Sequence, residues 1–252
     1  MSLISMQSYS QYGEDLILWD YFKGKPDGLF VEIGANHPTA LNNTWFFEQR
    51  GWRGILIEPL PDRCRELRQL RHRSQIIEAA LGAPENRGTA AFKVAAEQAL
   101  SGLVLKPDIK CLGEIKVTLT TLDDVLAAAG NPKIDFVTLD VEGTELNVLR
   151  GFSLERHRPL ILLVEDHWRS PCLHRHLGVR GYRIVRRTGV NSWYVPADAK
   201  VFPATPFGAF NTSLRASYTL LRRRIRSQWR NRFARLRARW PLRGQRVNVL
   251  QD

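Results

Sequence analysis

The chain has 252 residues, of which 44% are hydrophobic, so it can form a substantial core in one domain. Its net charge is +12, but residues 213–252 contain twelve arginines, no lysine and one acidic residue, and so carry +11. Any argument from basicity therefore applies to this C-terminal segment and not to the nearly neutral body. The longest apolar run, residues 160–164, is far too short to span a bilayer.

Three cysteines with no Cys-x-x-Cys spacing argue against a disulfide scaffold and favour a reducing compartment. The first residues lack the basic and long apolar regions of a signal peptide. These features predict a cytoplasmic protein.

The first predicted element is a helix within residues 8–22. It opens with Ser-Gln-Tyr-Gly-Glu-Asp, and Gln11 and Asp15 belong to this opening. Two interpretations stay open: the acids of a capping helix face solvent, or Gln11 and Asp15 reach over a bound cofactor.

Residues 29–59 predict a βαβ unit, with strands at 29–33 and 54–57 and a helix at 42–50. Glu58 follows Gly34 by 24 residues, about where an acid contacts ribose hydroxyls in nucleotide-binding units. The loop after the first strand has one glycine, and Pro38 removes a backbone donor, so a pyrophosphate site is disfavoured. No Gly-Lys-Ser/Thr follows, which excludes a P-loop. A ligand with a ribose and no phosphates, such as S-adenosylmethionine, fits better.

The next stretch predicts a charged helix at 62–72 and a third strand at 75–80. Ala79 and Ala80 end this strand, where an adenine ring would lie. An edge strand is predicted at 88–94, and Ser101 belongs to a loop of small residues that could approach a ligand closely. A strand at 116–120 then precedes a helix at 121–129.

Acidic residues follow the apolar runs of four predicted strands. They are Glu32, Glu58, Asp140 with Glu142, and Glu165 with Asp166. The carboxyl ends of parallel strands share one edge of a sheet, and a carboxylate cluster there is costly unless it binds something. This pattern predicts a functional site at that edge.

The remaining segments complete the sheet and add a basic tail. Residues 182–185 and 192–195 predict the last strands, and a linker near 203–210 separates a domain at 1–211 from a tail at 212–252. In the tail, large apolar residues recur every three or four positions, as on one helical face: Leu214, Tyr218, Leu221, Ile225, Trp229, Phe233, Leu236 and Trp240. Arginines occupy most of the other positions.

Several motifs resemble those of the FkbM-type methyltransferases. They are Phe-Val-Glu-Ile-Gly-Ala-Asn from Phe30, Arg-Gly-Ile-Leu-Ile-Glu-Pro from Arg53, Thr-Leu-Asp-Asp-Val-Leu from Thr121, and Asp-Val-Glu-Gly-Thr-Glu from Asp140. The opening around Gln11 is similar to that family's entry segment. The resemblance implies an α/β fold with a Rossmann-like, doubly wound, mostly parallel sheet. It also implies S-adenosylmethionine as cofactor and O-methylation of a sugar, glycolipid or related natural product.

The resemblance also implies a set of site residues. Glu32, Gly34 and Ala35 would line the methionine end, Glu58 would hold the ribose, and Asp140 would lie nearest the sulfonium. The full cofactor set is Gln11, Glu32, Gly34, Ala35, Asn36, Glu58, Ala79, Ala80, Ser101 and Asp140.

An alcohol must lose a proton when it is methylated, so a base is expected beside the methyl group. His167 is the first candidate because a histidine titrates near neutrality. Asp140, with Glu142 nearby, is the second, and it could instead orient His167. A surface histidine without a catalytic role is the competing interpretation.

No metal is assigned, although an oxygen-rich cluster with one imidazole would suit magnesium or manganese. Two other functions stay open: a nucleotide-binding enzyme that is not a methyltransferase, and a nucleic-acid-binding protein that uses the arginine tail.

The expected partners are a small-molecule or glycan acceptor and an anionic membrane surface contacted by residues 213–240 at the inner face of the membrane. A tail that packs on the body or on a second copy in a homo-oligomer is the alternative, and no nucleic-acid partner is expected.

Overall fold

The computed structural model describes residues 6–166 and 170–199. The predicted tail, the linker and His167 lie outside the described residues. The helices are α1 (Glu14–Tyr21), α2 (Trp45–Glu48), α3 (Pro61–Leu70), α4 (Leu122–Ala128), α5 (Glu145–Arg150), α6 (Leu154–His157) and α7 (Pro171–Val179). The strands are β1 (Leu29–Ile33), β2 (Arg53–Glu58), β3 (Ser74–Glu78), β4 (Ala80–Leu81), β5 (Gly88–Ala95), β6 (Cys111–Thr120), β7 (Phe136–Leu139), β8 (Ile161–Glu165), β9 (Tyr182–Thr188) and β10 (Asn191–Pro196).

Seven strands form the central sheet in the order β3-β2-β1-β7-β8-β10-β9. The first five are parallel, and β10 pairs antiparallel with both β8 and β9. The predicted mostly parallel sheet with an antiparallel finish is confirmed, and β1 and β7 are direct neighbours. The strand order reverses between β1 and β7, where α/β sheets place their ligands.

Hydrophobic side chains cover both faces of this sheet. Alternate residues of β1 point to opposite faces, so Val31 and Ile33 belong to one core cluster and Phe30 to the other. The first cluster includes residues of α4, α5 and α7, and the second includes residues of α1, α2 and α3. Helices on both faces leave the carboxyl edge of the strands as the place for a ligand.

The helix predicted at 42–50 forms only over Trp45–Glu48. Asn42 shortens it at the start, because its side-chain Oδ1 accepts hydrogen bonds from the backbone N–H groups of Thr44 and Trp45 at 3.0 and 2.7 Å. Gly51, with φ +101°, follows its end. Phe46 and Phe47 point into the core as predicted.

A second sheet was not predicted. It has the order β4-β6-β5, with β5 and β6 forming a long antiparallel pair, and it packs its own cluster around Phe92 and Val117. The run predicted as one strand at 75–80 divides between β3 in the large sheet and β4 in the small one. The small sheet carries the loop around Ser101 to the edge of the large sheet.

The acids at the start of α1 are buried. Glu14 and Asp15 are both fully inaccessible, so the interpretation in which they face solvent is wrong. Asp15 accepts hydrogen bonds from the Ser8 hydroxyl, the Tyr9 backbone N–H and the Ser10 hydroxyl. These bonds fix residues 8–10 against the start of α1.

No helix in the described part of the chain combines the length and the apolar character that crossing a bilayer requires.

Candidate functional site

A cavity of about 460 Å³ lies at the carboxyl edge of the large sheet, a size typical of small-molecule sites. The described residues of the predicted cofactor and catalytic set all line it: Gln11, Glu32, Gly34, Ala35, Asn36, Glu58, Ala79, Ala80, Ser101, Asp140 and Glu142. Their individual roles stay predictions. Their convergence follows from the topology, because β1, β2, β7 and β8 all end here. Asp15, which one interpretation placed over a bound cofactor, is not among the lining residues.

The Gly34 loop brings backbone directly against the β7 loop. Gly34 has φ +82°, and a Cβ built on it would lie 1.8 Å from the carbonyl oxygen of Asp140. No side chain fits there, so this position requires glycine. Asn36 also has a positive φ, of +47°, and its side-chain Oδ1 is buried and has no hydrogen-bond partner within the described residues. The loop thus offers a free acceptor to a ligand in the cavity.

Glu58 ends β2 and is nearly inaccessible to solvent. One carboxylate oxygen accepts the backbone N–H of Asn36 and the other that of Leu60, each at 2.9 Å. Each oxygen keeps a second lone pair for a ligand hydroxyl. Burial raises the pKa of Glu58, and the two backbone hydrogen bonds and Arg63 oppose that shift.

Glu32 contributes to the wall through a buried network that the sequence did not reveal. Its carboxylate accepts hydrogen bonds from the Asn42 amide at 3.1 Å and the Thr44 hydroxyl at 2.7 Å. The guanidinium of Arg71, a side chain with no exposed surface, lies 3.7 Å away. Burial raises the pKa of Glu32, and Arg71 is the largest opposing influence.

Asp140, Glu142 and Glu165 form a carboxylate cluster beside Gly34. One oxygen from each lies within 4.8 Å of the others, and Lys106 pairs with Glu142. Asp140 is open to the cavity, yet withdrawal from bulk solvent is the largest cause that raises its pKa well above the usual range, followed by the charge of Glu165 and a hydrogen bond with it. Burial likewise raises the pKa of Glu165.

Two chemical uses suit this cluster. The carboxylates could hold a hard divalent cation, for which oxygen ligands are preferred. They could also share a proton, because like charges so close resist double ionisation.

Asp166, predicted as a member of the acid cluster, does not line the cavity. It is buried and accepts hydrogen bonds from Arg187 and from the Ser192 hydroxyl, the latter at 2.9 Å. His174 lies 3.3 Å from the same carboxylate. Asp166 therefore ties the end of β8 to β10. Successive side chains of an extended strand point to opposite faces, so Asp166 points away from the side on which Glu165 lies.

The sequence missed several cavity residues. Tyr12, Lys106, Val190 and Asn191 line the cavity. Val190 belongs to the turn between β9 and β10, and Asn191 is the first residue of β10. Tyr12 directly follows Gln11 in the opening motif, so the prediction for Gln11 could have been extended to Tyr12. No such signal existed for the β9–β10 hairpin. Its position at the carboxyl edge depends on the antiparallel pairing of β10 with β8, which the sequence does not show.

These features fit S-adenosylmethionine. The close backbone at Gly34, the free Oδ1 of Asn36, the lone pairs of Glu58 and the small side chains of Ala79 and Ala80 match an amino acid end, a ribose and a flat base.

The chain is similar to one known protein family and to several solved structures. A family model described as the methyltransferase FkbM domain matches residues 32–182, more than half of the chain. A methyltransferase structure from Geobacter sulfurreducens is 15% identical, with 73% of this chain and 77% of that chain covered and a TM-score of 0.40. A TehB-like SAM-dependent methyltransferase from Corynebacterium glutamicum is 8% identical, with 74% and 89% covered and a TM-score of 0.41.

No curated protein matches the chain. The family match covers the Gly34 loop, Glu58 and the carboxylate cluster. The chain therefore belongs to the FkbM methyltransferase family, and S-adenosylmethionine is its methyl donor.

Proposed function

We propose that the protein transfers the methyl group to a hydroxyl oxygen, with Asp140 as the proton acceptor. The observation that carries this proposal is the Asp140–Glu165 pair at the carboxyl edge of the sheet, next to Gly34. A carboxyl with a raised pKa is a stronger base when ionised than an ordinary aspartate, and general base catalysis improves as the base pKa approaches the working pH.

The bound donor supplies an electrophilic methyl group on a sulfonium. The chain must hold the acceptor oxygen in line with the bond between that methyl group and sulfur, and it must remove the proton of the acceptor hydroxyl. Asp140 receives the proton and donates a hydrogen bond to Glu165, while Lys106 offsets the charge of Glu142. His167, two residues beyond Glu165, is the alternative base.

The same cluster argues against an amine acceptor. An amine beside Asp140, Glu142 and Glu165 would be stabilised as its ammonium form, because nearby opposite charge favours the charged state. An ammonium has no lone pair with which to attack a methyl group. A hydroxyl stays neutral in this field, and its lone pair is available.

The acceptor class proposed is a sugar, a glycolipid or a related natural product. The supports are the family resemblance and the open cavity beyond Asp140. Residues 213–240 would hold the enzyme at an anionic membrane surface, beside lipid-linked acceptors on the inner face of the membrane.

A transfer assay tests the reaction. The wild type is incubated with methyl-labelled S-adenosylmethionine and with glycan, glycolipid and small-molecule extracts, and the labelled product is analysed. We expect an O-methyl group. Label on nitrogen or carbon would refute the proposed acceptor chemistry.

The base assignment has its own variants. Asp140→Asn should reduce turnover about 100-fold or more, the usual range for losing a general base. Asp62→Asn, an exposed acid on α3, is the control and should retain activity. Full turnover by Asp140→Asn would assign the base elsewhere, with His167→Ala as the next variant.

A further inference from the structure

We propose that Gln11, Tyr12 and Asn191 form an acceptor-binding wall in the cavity, suited to a neutral ring that bears hydroxyls. The inference rests on the proposed O-methylation and adds the residues that recognise the acceptor. The sequence placed Gln11 in the cofactor site, whereas this inference assigns Gln11 to the acceptor.

The strand order separates two halves of the cavity. Glu58 ends β2, and Asp140 follows β7 two strands away, or about 10 Å at ordinary strand spacing. Asn191 begins β10, two strands beyond β7 on the other side. The half toward Glu58 holds the features that match the cofactor, namely the Glu58 carboxylate, the Gly34 backbone and the free Asn36 oxygen. The half toward Asn191 is therefore left for the acceptor.

Glu14 joins the two chain segments of this wall. One of its carboxylate oxygens accepts the hydroxyl of Thr188 at 2.8 Å and the side-chain amide of Asn191 at 2.9 Å. The other accepts the backbone N–H of Tyr12 at 2.8 Å. Glu14 is fully buried, so these bonds are shielded from water and hold the wall in one arrangement.

Tyr12 lies directly over the turn of the hairpin. A Cβ added to Gly189 would come within 2.2 Å of the Tyr12 ring, so the turn accommodates the ring only because it has glycine there. The ring packs against the hairpin on one side, yet Tyr12 remains 41% exposed and lines the cavity. An aromatic surface is thus fixed and open at the acceptor half.

The chemistry of the wall selects a neutral polyol. The exposed amide of Gln11, which has no hydrogen-bond partner in residues 6–166 and 170–199, can both donate to and accept from hydroxyls. The Tyr12 ring offers an apolar face to the C–H groups of a saturated ring. The three carboxylates of Asp140, Glu142 and Glu165 outnumber Lys106, the cation that pairs with Glu142, so their remaining charge would repel a carboxylate or a phosphate on the acceptor.

Binding experiments on the full chain test the wall without knowledge of the natural acceptor. The protein is saturated with S-adenosylhomocysteine, and saturation-transfer NMR is recorded with a panel of methyl glycosides that includes methyl β-D-glucopyranoside and its charged counterpart, methyl β-D-glucuronide. We expect signals from neutral glycosides and none from the glucuronide. Binding of the glucuronide alone, or of no neutral glycoside, would overturn the inference.

Two substitutions then locate the glycoside. Tyr12→Ala should weaken glycoside binding about five-fold or more, because it removes a stacking surface, whereas Tyr12→Phe should retain it. The affinity for S-adenosylhomocysteine, measured by calorimetry, should stay within about two-fold in both variants. Loss of that affinity in Tyr12→Ala would place the wall in the donor site and overturn the inference.

The outcomes also separate this inference from the proposed reaction. Glycoside binding at Tyr12 together with methylation of nitrogen would end the O-methylation proposal. If the protein O-methylates an acceptor whose binding Tyr12→Ala does not change, the proposed reaction is supported and the acceptor-binding wall is refuted.

Discussion

Glu58 is held by two backbone N–H groups, one on each carboxylate oxygen, so its free lone pairs have a fixed direction. The same bonds link it to the Gly34–Asn36 loop and to the start of α3. A ligand hydroxyl bound to Glu58 would thus meet an acceptor already in position, which lowers the ordering cost of binding.

Glu58→Ala should weaken S-adenosylmethionine binding by about 2 kcal/mol, or about thirty-fold in Kd, because hydrogen bonds to a charged group are lost. Calorimetry on the wild type and the variant measures this. Glu78→Ala is a matched control, since Glu78 pairs with Glu58 across β2 and β3 but is exposed and pairs with Arg68. Equal affinities of wild type and Glu58→Ala would remove Glu58 from the site.

Glu165→Gln should move the acidic limb of the rate–pH profile to lower pH. The charge of Glu165 raises the pKa of Asp140, so its removal lowers that pKa, and Asp140 then ionises at lower pH. The charge of Glu142, which also raises the pKa of Asp140, and its partner Lys106 remain unchanged. The profile is measured with the acceptor found in the transfer assay. An unchanged limb, or a limb moved to higher pH, would contradict a base role for Asp140.

At the scale of elements, Arg71 joins α3 to the loop that precedes α2. Its guanidinium donates to the Glu48 carboxylate at 2.6 Å, the Thr44 hydroxyl at 2.7 Å and the Pro38 carbonyl at 3.1 Å, and Glu32 lies beside it. These contacts fix one wall of the cavity through buried charge. Removing the cation would leave two buried carboxylates uncompensated.

Arg71→Ala should lower the free energy of unfolding by about 3 to 5 kcal/mol, the usual cost of breaking a buried ion pair. Urea denaturation followed by circular dichroism measures it. Arg73→Ala is the control because that side chain is exposed. A loss below about 1 kcal/mol, the range of surface ion pairs, would show that the network is not a structural centre.

The strands that consist of buried apolar runs were predicted correctly from the sequence. β1, β2, β7 and β8 are almost continuous hydrophobic segments, and both of their faces are covered, so short-range pattern was sufficient. The small sheet was missed because its strands are half-exposed and their pairing depends on contacts distant in sequence.

The same distinction explains the candidate site. Residues at strand ends, such as Glu58 and Asp140, follow from topology alone. Arg71 and Asn191 do not, because a buried arginine and a hairpin asparagine look in sequence like surface residues.

At the scale of the whole molecule, a nearly neutral body is joined to an arginine-rich tail that lies outside the described residues. We expect the tail to bind anionic membranes, because each basic residue near such a surface contributes about 1 kcal/mol. Full-length protein should sediment with vesicles containing phosphatidylserine, and protein lacking residues 213–252 should not. Vesicles of phosphatidylcholine alone are the control. Equal sedimentation of both proteins with anionic vesicles would refute the tether.

Strand β9, which lies at one edge of the large sheet in the described part of the chain, has a consequence for self-association. A strand with one unpaired edge can add a strand from another molecule, and such addition leads to aggregates. β9 carries Arg183 and Arg186, and its register with β10 shifts between Trp193 and Tyr194. Charge and irregular pairing both oppose the flat stacking of identical strands, so this edge is protected against fibril growth by the same segment that places Asn191 at the cavity.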